Sequence, residues 1–147
     1  EAAGKLKAVI TQNIDGLHQA AGSREVLELH GSVHRNHCQR CGKFYGLEHI
    51  LRTEGVPRCS CGGIIKPDVV LYEEGLDQGT LEAAVRALAE ADMLMIGGTS
   101  LNVYPAAGLI RYYQGHRLVL LNKSPVARDL AADLVITDPI GETLAQL

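Results

Sequence analysis

The chain has 147 residues, with 14 Lys and Arg against 17 Asp and Glu, a formal net charge of −3 and a hydrophobic fraction of 46%. That fraction excludes an intrinsically disordered chain, and so weak a negative charge supplies no field to gather nucleic acid or an anionic membrane, so neither is expected as a partner. With no Trp and one Phe, the core has to be built from Val, Leu, Ile and Ala.

In chain order, the opening "EAAGKLKAVITQ" is neither a signal peptide nor a transit peptide. No run approaches the roughly eighteen apolar residues that span a bilayer, so a cytoplasmic protein is expected. The chain enters a strand, "LKAVI" (6–10), almost at once, which reads as part of a longer protein. That strand ends in "TQNIDGLH" (11–18), where Gln12, Asn13 and Asp15 crowd polar groups onto its tip. Asn or Asp beside Gly would be enough to turn the chain, so a plain turn and a ligand-binding tip are both open at this point.

Residues 35–66 break the pattern, being rich in Cys, Gly, Arg and Lys, and read as an insertion with its own means of support. A weaker strand, "PDVVLY" (67–72), follows, then a helix with apolar residues at helical spacing over 79–91. Strands "DMLMIGG" (92–98), "RLVLLN" (117–122) and "ADLVITD" (132–138) alternate with helices over 105–115 and 124–131, the last with Ser124 as N-cap and Pro125 at its first position. The strands are continuous apolar runs, which a parallel sheet covered on both faces produces. The expected fold is α/β, a Rossmann-like doubly wound parallel sheet with a small inserted zinc-binding domain. Residues 1–34 and 67–147 form the two segments of the main domain, and 35–66 the insertion.

All four cysteines fall in the insertion, Cys38 and Cys41 in "CQRCG", Cys59 and Cys61 in "CSCGG". Two close pairs, each followed by glycine, suit tetrahedral zinc. Two disulfides are disfavoured in a cytoplasmic chain, and four free thiols by the clustering of every cysteine in one segment. Four thiolates would close the coordination sphere, making the ion structural and placing catalysis elsewhere. His37 could replace a sulfur but reads better as an exposed neighbour, and His18, His34 and His49 read as structural or surface residues.

Three motifs stand in order around this segment, "TQNIDGLH" (11–18), "ELHGS" (28–32) and "GTSLNVYPAAGL" (98–109), with "KPDVVLYEE" (66–74) and "LLNKS" (120–124) between and after. Together they resemble the sirtuin family, NAD-dependent protein lysine deacylases, and most closely its bacterial members. The resemblance implies that NAD is the cofactor, that nicotinamide is released, and that an acyl group passes from lysine to ADP-ribose. It makes His30 the general base, with Gln12, Asn13 and Asp15 lining the nicotinamide and ribose pocket. It gives Gly98, Thr99 and Ser100 to the diphosphate, and Asn122 and Lys123 to the adenosine ribose.

The acylated-lysine protein or peptide would enter as an added strand, with Val69 and Val70 along the acyl-lysine tunnel and Leu71, Tyr72, Asn102 and Val103 beside the peptide. Two departures stand out. Glu73 occupies a position where the family usually has glycine, which turns that rim toward basic flanking residues. The family's glycine-rich "GAGxS" loop and its "PDFR" segment, which carry the residues that sort acyl groups, do not occur in these 147 residues. The resemblance places a central strand of the sheet there too, and without it and half of the cofactor pocket the segment alone is expected to be poorly soluble or associated, and inactive. A zinc-bearing binding module without turnover and an NAD-dependent protein ADP-ribosyltransferase are the competing expectations.

Overall fold

The computed structural model describes residues 1–124 and 131–146. The chain divides into two compact units, 1–81 and 82–147, and each is taken by itself. The helix expected over 124–131 falls almost wholly on Pro125–Leu130, outside the described residues.

In the first unit, β1 (Val9–Thr11) pairs in parallel with β2 (Val26–Glu28), Val9 opposite Val26 and Thr11 opposite Glu28. Parallel pairing needs a crossover of about a dozen residues or more, which the connection containing the short α1 (Leu17–Ala20) supplies. A second sheet has β3 (Gly31–Cys38) at its centre, antiparallel to β4 (Phe44–Gly46) on one side and β5 (Ile65–Val69) on the other. The β3–β5 register shifts between Ser32 and Asn36, a β-bulge. Two buried side chains serve the backbone groups the bulge frees: Asn36 Nδ2 donates to the Val33 carbonyl at 3.0 Å, and Ser32 Oγ accepts from the His34 amide at 3.2 Å. β5 begins two residues before the strand expected at 67–72, because Pro67, which has no N–H to give a ladder, sits where the ladder is already irregular. The small core of this sheet is Cys38, Cys59 and Ile65, with Tyr45, Ile50 and Cys61 packed against them; Ile50 comes from α2 (Leu47–Leu51).

The division between units falls inside α3 (Gln78–Ala89). In the second unit β6 (Leu94–Gly97), β7 (Leu118–Leu121) and β8 (Leu134–Ile136) form a parallel sheet in that order, with Leu94 opposite Leu118 and Leu120 opposite Val135. Ile96, Leu101, Ala107 and Leu120 form its core, flanked by Leu94, Ile110, Leu118 and Ala132. Parallel strands alternating with helices, with a cysteine-bearing sheet inserted, give the α/β Rossmann-like class expected from the sequence.

Two details differ. Residues Ala106–Tyr112 form a 3₁₀ helix, shorter than the helix expected over 105–115 and with the tighter turn that short helical pieces take. Only β7 approaches burial on both faces, whereas Met95 on β6 and Leu134 and Val135 on β8 are exposed, as suits flanking strands with one neighbour each among the described residues. A short α4 (Ile140–Leu144) closes the described chain, and no described helix is long and apolar enough to cross a membrane.

Candidate active site and metal centre

β1 delivers the polar tip. Thr11 Oγ1 accepts from the Asn13 amide at 3.0 Å and Asp15 Oδ1 accepts from the Leu17 amide at 3.0 Å, so the loop is shaped by its own side chains. It is also clamped from β3: His34 Nε2 donates to the Asp15 carbonyl at 3.0 Å, and the Val33 amide to the Ile14 carbonyl at 3.1 Å. A carbonyl can only accept, so this bond puts the His34 proton on Nε2.

His30 lies in the turn between β2 and β3, half-buried, next to the buried Leu29 whose amide donates to the Thr11 carbonyl at 2.9 Å. Its Nδ1 is 3.0 Å from the Gln12 carbonyl. The same rule makes Nδ1 a protonated nitrogen, so in the neutral ring the lone pair sits on Nε2. The His30 carbonyl in turn accepts from the Val70 amide at 3.0 Å, which ties the end of β5 to the histidine. The side-chain amides of Gln12 and Asn13 make no hydrogen bond among the described residues and remain open to a ligand.

A cavity of about 350 Å³ opens beside this turn, lined by Glu28, Leu29, Gly31, Arg35, Asp68 and Val70 among others. Arg35 Nη1 meets the Glu28 carboxylate at 2.8 Å, its Nε lies 3.9 Å from Asp68, and His37 Nδ1 meets Asp68 at 2.7 Å. This chain of polar contacts links β2, β3 and β5 and starts at Glu28, two residues before His30.

In the second unit the polar residues gather at the carboxyl ends of β6 and β7, the end of a parallel sheet where ligands bind. Gly98, at φ 64, donates its amide to the Leu121 carbonyl at 3.1 Å, and Thr99 Oγ1 accepts from the Leu101 amide at 3.1 Å. Ser100 makes no hydrogen bond among the described residues. Asn122 uses its side-chain amide on the Ser124 carbonyl at 2.8 Å, and Lys123 is exposed.

The four cysteine sulfurs lie within 4.8 Å of one another, with Cys38–Cys61 at 3.4 Å, Cys41–Cys61 at 3.5 Å and Cys41–Cys59 at 3.6 Å. Four thiolates about 2.3 Å from one zinc ion sit roughly 3.8 Å apart at a tetrahedron's corners, so the set fits zinc. Gly42 and Gly62, at φ 72 and 83, make the turns that aim backbone amides at the sulfurs, and the Arg40 amide reaches Cys38 Sγ at 3.4 Å.

The Cys61 amide and, after it, the Tyr45 hydroxyl at 3.0 Å pull the Cys59 thiol down to about 5. Burial works to raise the Cys38 thiol, but the amides of Cys41 and Arg40 and the neighbouring sulfurs bring it below its usual value. The Gly63 amide works to lower Cys61, yet the sulfurs of Cys38, Cys41 and Cys59 outweigh it and push that thiol up to about 12. A zinc ion among the four sulfurs would offset this mutual repulsion and allow all four to bind as thiolates.

A model described as the Sir2 family matches residues 1–105, well over half of the chain. The chain belongs to the Sir2 family. This sirtuin is 62% identical to an NAD-dependent protein deacetylase of Clostridium acetobutylicum over 98% of its own length and 60% of that protein's. It is 57% identical to one of Cutibacterium acnes over 99% and 59%. Among solved structures, a Sir2–p53 peptide–NAD+ complex matches with a TM-score of 0.89 at 39% identity, over 99% of this chain and 63% of that one. Sir2Tm bound to a propionylated peptide matches at 0.90 and 40%, over 99% and 64%. The chain therefore spans about 60% of the length of the curated relatives it matches.

Within the first unit of this sirtuin, the expected residues divide into those the backbone joins and those it leaves apart. Gln12, His30 and Val70 are linked by hydrogen bonds, and Asn13 and Asp15 stand exposed on the same loop. Val69 closes β5, while Leu71 and Tyr72 project from the loop beyond it. Asn102 and Val103 are exposed in the second unit. The Glu28–Arg35–Asp68 chain and the His34 clamp were absent from the sequence reading. A carboxylate inside the apolar run "VLEL" was the available sign of the first, since a half-buried strand seldom carries an unpaired charge.

Proposed function

We propose that the protein is an NAD-dependent protein lysine deacylase working in the cytoplasm on acylated-lysine proteins or peptides bound as an added strand. The observation that carries this reading is the donation of His30 Nδ1 to the Gln12 carbonyl, which leaves Nε2 free as a base. The relatives named NAD-dependent protein deacetylase, similar over nearly the whole chain, support it. When bound, NAD supplies the nicotinamide that leaves and the ribose that receives the acyl group.

His30 Nε2 takes the proton of a ribose hydroxyl, and the backbone bond on the opposite nitrogen keeps the ring from turning as it does so. Gln12, Asn13 and Asp15 orient the carboxamide and ribose hydroxyls, a contribution made by positioning. Gly98, Thr99 and Ser100 are assigned to the diphosphate, and Asn122 and Lys123 to the adenosine ribose. Val69 and Val70 are assigned to the acyl-lysine, and Leu71, Tyr72, Asn102 and Val103 to the flanking peptide. Residues 1–34 and 67–147 would be the cofactor-binding segments, with 35–66 the zinc-bearing insertion held by Cys38, Cys41, Cys59 and Cys61.

The test is His30→Ala in the protein expressed from its natural coding sequence, assayed for NAD-dependent loss of acetyl from a lysine peptide. Activity should fall by about 10²- to 10⁴-fold with zinc content and circular dichroism unchanged. Near-normal turnover would remove His30 as the base. ADP-ribose accumulating on protein in place of peptide deacylation would point to a transferase.

A further inference from the structure

β5 runs out at Val69 into a loop whose tip is residues 71–74. Glu74 braces it from behind: its carboxylate accepts from the Leu71 amide at 2.9 Å and from Lys66 Nζ at 3.1 Å, while its own amide donates to the Leu71 carbonyl at 3.1 Å. The Leu71 amide first, and Lys66 second, hold the Glu74 carboxyl below the usual carboxylate range. Lys66 is held there, because its ammonium also donates to the Val69 carbonyl at 2.9 Å.

Glu73 is treated differently. Its φ is 71, a left-handed backbone that side chains other than glycine rarely adopt. Its carboxylate makes no hydrogen bond or ion pair among the described residues. Beside it Tyr72 is fully exposed, at 101%. An uncompensated charge and an unpacked ring thus sit on a rigidly braced turn, and backbone of this kind persists where a ligand is clamped.

The turn also lies on the path to the proposed base, since the Val70 amide just before it donates to the His30 carbonyl. Successive residues of an extended peptide advance about 3.3–3.6 Å, so a substrate whose acyl-lysine reaches His30 carries its neighbours past this loop.

We infer that Glu73 and Tyr72 form a subsite for a basic side chain, Lys or Arg, within two residues of the acyl-lysine. The inference rests on the deacylase reading above and adds the class of sequence that reading would prefer. The Glu73 carboxylate pairs with the cation, the Tyr72 ring offers it a π face, and Lys66 does not compete because Glu74 holds it. An acidic neighbour at the same place is repelled.

The test uses the protein from its natural coding sequence and acetyl-lysine peptides carrying Arg, Ala or Glu at each of the two positions on either side. For the favoured position kcat/KM should rise about 3- to 10-fold from Ala to Arg, mostly through KM, and the ratio should shrink at high salt. Glu73→Gly, which also suits the left-handed backbone, should flatten the series, and Glu73→Lys should invert it. A flat series in the unsubstituted protein, or one that Glu73→Gly leaves unchanged, overturns the inference while turnover of the Ala peptides keeps the deacylase reading intact. Failure of every peptide to turn over overturns that reading and the inference with it.

Discussion

At Gly31 the backbone leaves room for no side chain. Its φ is 76, and a Cβ built there would overlap the Asp68 carbonyl across the β3–β5 ladder. Gly55 has nearly the same φ, 75, with nothing within 4 Å of the added carbon. The pair separates two effects. Gly55→Ala should lose only the left-handed penalty, about 1–2 kcal/mol, whereas Gly31→Ala adds an overpacking term and should lose about 2–5 kcal/mol. Denaturant melts of the two variants measure the difference. Because the strand must also part from Asp68 and Val69, Gly31→Ala should loosen the bond between the His30 carbonyl and the Val70 amide, seen as faster exchange of the Val70 amide proton. Residues of this kind were half legible: His30 and Gly31 stood in a motif, but that Gln12 fixes the histidine's tautomer through its carbonyl, not its side chain, is a backbone fact with no side-chain signature. His34 was equally unreadable, since a lone histidine in a polar stretch looks the same whether it clamps a loop or faces water.

Single elements follow local chemistry more closely. Asp77 stands immediately before α3, and its Oδ1 accepts from the Thr80 amide at 2.8 Å and the Thr80 hydroxyl at 2.9 Å, which satisfies donors that a helix start leaves unpaired. The Thr80 amide, then its hydroxyl, hold the Asp77 carboxyl below its usual 3.8. A carboxyl depressed in the folded state stabilises fully above its unfolded value and loses that contribution as pH falls through the folded one. The start of α3 should therefore fray only below about pH 4, with the Thr80 amide resonance titrating at a midpoint under 3.8. In Asp77→Ala that titration should vanish and the melting temperature should fall at neutral pH. The sequence placed α3, β6, β7 and β8 within a few residues because their apolar spacing is strong. It placed β5 late, since a proline next to a charged pair suggests a strand's beginning unless a bulge opposite makes the proline harmless. The strands β2, β3 and β4 went unpredicted for a related reason: "SVHRNHC" has no apolar alternation to read, because a bulge interrupts its ladder and two of its three buried positions, Ser32, Asn36 and Cys38, are polar.

On the scale of the whole chain, the two units rest on different kinds of core. In the second, Ile96, Leu101, Ala107 and Leu120 are aliphatic and need nothing from solution. In the cysteine-bearing sheet of the first, Cys38, Cys59 and Cys61 are three of the six residues in the cluster, and too few apolar side chains remain to hold it alone. The ion's binding energy then becomes folding energy for that sheet and not for the other. Metal analysis of protein purified without added zinc should find one zinc per chain. Stripping it with a chelator should speed amide exchange across β3, β4 and β5 while β6 and β7 keep their protection, because local stability is not shared uniformly between cooperative units. Cys59→Ala should reproduce the pattern without a chelator, since a vacated corner of the tetrahedron leaves three close thiolates around a weakened site. Acid should do the same by protonating the ligands and releasing the ion. Equal loss of protection in both sheets on chelation would mean that the zinc supports the whole chain as one cooperative body, and full protection in both would mean that the cysteine sheet folds without it.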